Sequence, residues 1–77
     1  MSVAFDPVLL RYELAIRALS AFDLAKRAHL SPATVSAALA GRRIAEASAR
    51  EIEKVLQAVP PSEFLKRLIP PPPTGPA

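Results

Sequence analysis

The stretch 20–43, SAFDLAKRAHLSPATVSAALAGRR, constrains the fold most, because two helix starts and a helix stop fall within it. Ser20 followed at the third position by Asp23 has the form of a capping box, with Asp in place of Glu. Ser31-Pro32 is a second start, a capping hydroxyl followed by proline at the first helical position. Gly41 is a stop at the position just beyond a helix. These signals predict helices over 21–28 and 32–40, with only His29, Leu30 and Ser31 left for the turn between them. Two helices joined by so short a turn must cross steeply.

The flanking sequence supplies the rest of a small helical bundle. Residues 1–6 read as an N-terminal arm, and Asp6-Pro7 starts a first helix expected over 7–19. Leu10, Leu14 and Ala18 recur on one face of it, and Leu9, Tyr12, Ile16 and Leu19 widen that surface. Leu24, Ala25 and Ala28 form the inner face of the second helix, whose small alanines admit a close neighbour. Val35, Ala38 and Leu39 do the same in the third. Phe22 falls beside the inner face and is expected at the edge of the core, with an interface role as the alternative. Residues 42–44 read as a linker, and a fourth helix over 45–59 carries the stripe Ile52, Val55, Leu56 and Val59. On it Glu46/Arg50 is an attractive i,i+4 pair and Arg50/Lys54 a repulsive one. Pro60-Pro61 ends that helix, and 62–69 predicts a short fifth. No strand signal and no internal repeat is found. The run 70–77, PPPPTGPA, suits polyproline II or disorder.

Composition narrows the function classes. Apolar residues make up 51% and aromatics 5%, which predicts an aliphatic core. A chain of 77 residues buries a modest fraction of its surface, so a partner subunit would help its stability. Without cysteine and with one histidine, neither a disulfide nor a metal centre is expected, and no cofactor is called for. No secretory signal is seen, and no apolar run approaches the roughly 18 residues of a membrane span, so a cytoplasmic, nucleoid-associated protein without membrane partners is expected. A nucleophile paired with a base and a glycine-rich phosphate loop are both missing, which argues against an enzyme and a small-molecule ligand. The +3 net charge is a mild basic bias, compatible with a nucleic-acid partner. Lys26-Arg27 and Arg42-Arg43 bring that bias to two helix ends of the central stretch.

Leu24-Ala25, Ala28, Leu30-Ser31, Thr34-Val35-Ser36, Leu39 and Gly41 follow the pattern L-A-x-x-A-G-V-S-x-x-T-V-S-x-x-L-x-G. The chain thereby resembles the Xre/Cro/phage-repressor class of helix-turn-helix regulators. It is also similar to lac repressor family headpieces, whose next stretch looks like the segment Ile44 to Ile52. The resemblance spans about 10–56. It implies an all-α, four- to five-helix lambda-repressor-like helix-turn-helix domain over 7–59. The implied function is a repressor that binds double-stranded DNA at a short palindromic operator as a homodimer, as a Cro-like switch of a phage or mobile element or an antitoxin-type autoregulator.

The resemblance implies residue roles as well. Ser31 and Thr34 look like phosphate-contacting hydroxyls. Pro32, Ala33, Ser36 and Ala37 fall where family members face base edges, and Arg42 and Arg43 look like backbone contacts. Lys26 and Arg27 are further candidates for DNA contact, or simply solubilise the second helix. The sequence departs from the pattern in three ways. His29 replaces the turn glycine, where φ > 0 is usual. Ala21 stands where many relatives carry Gln, and Pro32, Ala33 and Ala37 provide no side-chain hydrogen bond to a base. Readout is then expected from thymine methyls, DNA shape and half-site spacing. Phe64, Leu65, Leu68 and Ile69 over 60–69 either fold back on the first and fourth helices or form the dimer surface. The rival function is a helix-turn-helix protein-interaction module, antitoxin- or anti-regulator-like, that binds a partner protein in place of DNA.

Overall fold

The computed structural model describes residues 1–73. In chain order the elements are β1 (Ser2–Val3), α1 (Pro7–Ala15), α2 (Ala21–Ala28), α3 (Pro32–Leu39), β2 (Ile44–Ala45), α4 (Glu46–Ala58) and α5 (Glu63–Leu68). The domain is mainly helical, with one small sheet.

The helix starts form where the capping residues stand. Asp6 Oδ1 accepts the N–H groups of Val8 and Leu9 at 2.9 and 3.2 Å. Ser20 and Asp23 form a reciprocal capping box, each side chain accepting the other's backbone N–H at 3.0 Å. Ser62 Oγ accepts Leu65 N–H at 3.2 Å and opens α5. Each side chain satisfies donors that a helix start leaves free.

α1, α2 and α3 end in the same turn, centred on Ala18, His29 and Gly41, whose φ values are 56°, 57° and 77°. Behind each one, the next N–H reaches back across the turn. Leu19 donates to Leu14 O, Leu30 to Ala25 O and Arg42 to Ala37 O, at 3.0, 2.9 and 2.9 Å. The inner bonds run from Ala18 to Ala15 O, His29 to Lys26 O and Gly41 to Ala38 O. This is the Schellman pattern, and it stands on glycine at only one of the three positions. It also corrects the expected first helix, which stops at Ala15 and not at 19. Ala18 is therefore exposed and does not extend the Leu10–Leu14 face into the core.

The core is aliphatic. Leu10, Leu14, Leu24, Ala25, Ala28, Val35, Ala38, Leu39, Ile44, Ile52 and Val55 form one buried cluster, with Leu24, Val35 and Ile52 sealed from solvent. α2 packs against α3 and α4, while α1 packs against α3. Ile44, expected in a linker, is a core residue at 6% exposure.

The strands were not legible in the sequence. β1 pairs antiparallel with β2, Ser2 opposite Ala45 and Val3 opposite Ile44. Two-residue strands carry no alternating pattern to read. The arm also replaces a missing cap: Ala45 gives α4 no side-chain cap, and Met1 O accepts Glu46 N–H at 3.1 Å. On α4, Glu46 pairs with Arg50, and Lys54 turns to Glu51 at 3.0 Å and not toward Arg50.

α5 is joined to the end of α1 through Ser62 N–H and Ile16 O, 2.8 Å apart. Leu65 and Ile69 are half-buried, whereas Phe64 and Leu68 are exposed. The segment thus folds back with one side only. Of the proline-rich run, 70–73 enters no helix or strand, and 74–77 lies outside the described residues. Among the described residues no helix is long and apolar enough to cross a membrane.

Candidate nucleic-acid interface

α3 is a short ridge whose two sides differ. Val35, Ala38 and Leu39 are buried beneath it. Pro32, Ala33 and Ser36 are exposed above it, and Ala37 is half-buried. At its front Ser31 Oγ accepts Thr34 N–H at 3.2 Å and lies 2.9 Å from Thr34 Oγ1. The two hydroxyls therefore form one polar tip at the helix start, where the positive end of the helix dipole favours an anion. Ser31 is exposed there and Thr34 partly so.

A shallow groove runs along each flank of the ridge. One, of about 310 Å³, is lined by Arg11, Ala21, Phe22, Pro32, Ser36, Leu39 and Ala40. The other, of about 320 Å³, is lined by Ala33, Thr34, Ala37, Arg43, Ile44, Ala45 and Ser48. The candidate base-facing residues thus divide between the two flanks, Pro32 and Ser36 on one and Ala33 and Ala37 on the other.

The cations are placed less uniformly than their pairing in sequence suggests. Arg42 is exposed, and its guanidinium makes no hydrogen bond among the described residues. Arg43 borders a flank groove, but it is held by the arm: Nε donates to Ser2 Oγ at 2.9 Å and an Nη to Ser2 O at 3.1 Å. Lys26 is exposed, with Nζ 5.6 Å from the centre of the Phe22 ring. Arg27 borders a different hollow with Glu51 and Lys54 along α4, away from the two grooves that flank α3.

Two residues join the site that the sequence motif did not single out. Arg11 of α1 borders the Phe22 groove and donates to Leu39 O at 3.1 Å, closing the C-terminal end of α3. A cation there is favoured by the helix dipole. Phe22 is not an edge-of-core residue; it is 64% exposed and forms a wall of the same groove. The amphipathic count put it next to the apolar stripe, but α3 and α4 close over Leu24, Ala25 and Ala28 and leave the ring outside.

A further concavity, of about 910 Å³, lies between the arm, α1, α4 and Pro60-Pro61. Its wall carries Glu13 and Glu46, paired with Arg17 and Arg50, together with Glu53. Near α3 the one carboxylate with a shifted pKa is Asp23, held below its ordinary value by the Ser20 backbone N–H, then the Ser20 hydroxyl, with smaller help from Arg27 and Lys26. Among the described residues no group of His, Cys, Asp and Glu converges to hold a metal ion. No family model, curated protein or solved structure matches the chain.

Proposed function

We propose that this protein is a helix-turn-helix regulator that binds double-stranded DNA with α3 in the major groove. The supporting observation is the ridge itself. α3 presents small side chains between two open grooves, with the Ser31–Thr34 hydroxyls at its front and Arg42 free just past its end. A ridge of alanine, serine and proline enters a groove without steric conflict, and the polar tip meets backbone phosphate. Arg42 and Lys26 add phosphate contacts, whereas Arg43 adds one from a position fixed by Ser2. The protein acts as a repressor by occlusion on a short palindromic operator. Its dimer surface is the apolar side of α5, where Phe64 and Leu68 are 61% and 62% exposed.

Selection from a random duplex pool, followed by binding at several salt concentrations, tests this proposal. The expected result is a palindromic site and a logarithmic salt slope of about −0.9 for each phosphate contacted. No enrichment and no shift on mixed duplex at low salt would sink it. The rival, a module that binds a partner protein, has one specific observation in its favour: Phe22, Phe64 and Leu68 are all large, apolar and exposed. It predicts weak salt dependence and no selected duplex.

A further inference from the structure

We infer that Phe22 is a specificity-determining residue, reading thymine methyl groups from the groove it shares with Pro32 and Ser36. This rests on the proposed DNA-binding function and names a reader that lies outside α3.

Three observations carry it. The ring is 64% exposed on a helix whose apolar stripe is otherwise buried, so it is not serving the core. It lines the same groove as Pro32 and Ser36, on the flank where α3 exposes a proline ring and one hydroxyl while its other lining side chain, Leu39, is buried. The walls of that groove contain no carboxylate, and Arg11 borders it. Lys26 Nζ lies 5.6 Å from the ring centre, so one cation stands at the ring and another, Arg11, at the border of the groove. An apolar face set between cations, and continuous with the ridge, matches the edge of a DNA groove, where a methyl-bearing base lies beside phosphates. It does not match a wholly apolar protein partner. Contact of an aromatic ring with the C5-methyl of thymine is an established form of base readout. It supplies sequence information that Pro32, Ala33 and Ala37 lack.

The test replaces thymine by deoxyuridine, one position at a time, in the duplex selected from the random pool. This removes the methyl group and keeps the pairing edge. Wild-type protein is expected to lose about fourfold in affinity at the position the ring contacts, the factor for one buried methyl-sized group. Phe22→Ala should bind the thymine duplex as weakly as wild type binds the uracil duplex, with no further loss on uracil. Phe22→Leu, which keeps an apolar side chain, should retain part of the discrimination. Truncating an exposed ring leaves the core intact, and an unchanged melting curve checks this. If Phe22→Ala keeps the full thymine preference at every position, the inference is wrong while DNA binding stands. If wild type shows no thymine preference anywhere, the inference is likewise wrong. Failure to select any duplex overturns both the inference and the function beneath it.

Discussion

Arg17 Nε donates to the Val59 carbonyl at 2.7 Å, tying the end of α1 to the end of α4 across most of the chain. The same nitrogen reaches Leu56 O at 3.1 Å, and one Nη reaches Glu13 O and Glu13 Oε1. The Arg17 side chain is only 10% exposed. One guanidinium therefore satisfies carbonyls at two helix C-termini, which would otherwise be shielded from water without partners.

Arg17→Met should cost about 2–3 kcal/mol, because hydrogen bonds to a charged group contribute more than neutral ones and their loss strands acceptors. A domain of this size has roughly 4–11 kcal/mol in total. The loss is thus a large share of it, readable as a lowered urea midpoint. Arg17→Lys should recover only part, since an ammonium cannot span the same fork. An unchanged midpoint for Arg17→Met would show the clasp to be idle.

The three helix-ending turns predict opposite signs for similar exchanges. Ala18→Gly and His29→Gly should each stabilise by about 0.5–1 kcal/mol, as a left-handed residue with a Cβ is strained. Gly41→Ala should destabilise by about 1–2 kcal/mol. There the φ of 77° is joined by a tight contact, the new Cβ meeting Pro7 Cγ and Cδ at 3.3 Å each. Thermal melts of the three variants check the pattern. A clear drop for His29→Gly would mean that the imidazole makes a contact of its own.

Arg42 and Arg43 should separate in function although they are adjacent. Arg42→Ala should reduce the salt slope of DNA binding by about 1, with little change in stability. Arg43→Ala releases Ser2 and should also lower the melting temperature. Equal effects on stability would contradict the different anchoring of the two side chains.

Asp23 predicts an acid-side loss of stability. Its carboxyl titrates below the ordinary value of 3.8, chiefly through the Ser20 backbone N–H and then the Ser20 hydroxyl. Its contribution is therefore complete above the unfolded value and disappears as pH falls through the lower, folded one. Melting temperatures of wild type and Asp23→Asn should differ at pH 7 and converge in strong acid. A constant gap across that range would exclude the capping box as the cause.

The helix starts were legible because a cap is made within three residues: Asp6, Ser20, Ser31 and Ser62 each bond N–H groups just ahead of them. The core stripes of α2, α3 and α4 were legible for a similar reason, since Leu24/Ala28, Val35/Leu39 and Ile52/Val55 recur within each helix at helical spacing. The end of α1 was not, because Ala18 carries no mark of the left-handed turn it adopts. Nor was the exposure of Phe22, which depends on how far the neighbouring helices close over α2. For the candidate interface, the ridge residues Ser31 to Ala37 could be named from the pattern. Which cations are free and which are engaged could not.

The sequence by itself determined where α1, α2, α3 and α5 begin, which helix faces are apolar and that α2 and α3 are joined by a short turn. These are local matters, decided by hydrogen bonds and side-chain periodicity over a few residues. Only the tertiary structure decided that the arm becomes β1, that Met1 O caps α4 and that Arg11 and Arg17 close distant helix ends. Those interactions join groups far apart in the chain. Their partners are backbone carbonyls and N–H groups, which nearly every residue type carries, so no side chain announces them. Core packing brings them together and excludes the water that would otherwise satisfy them.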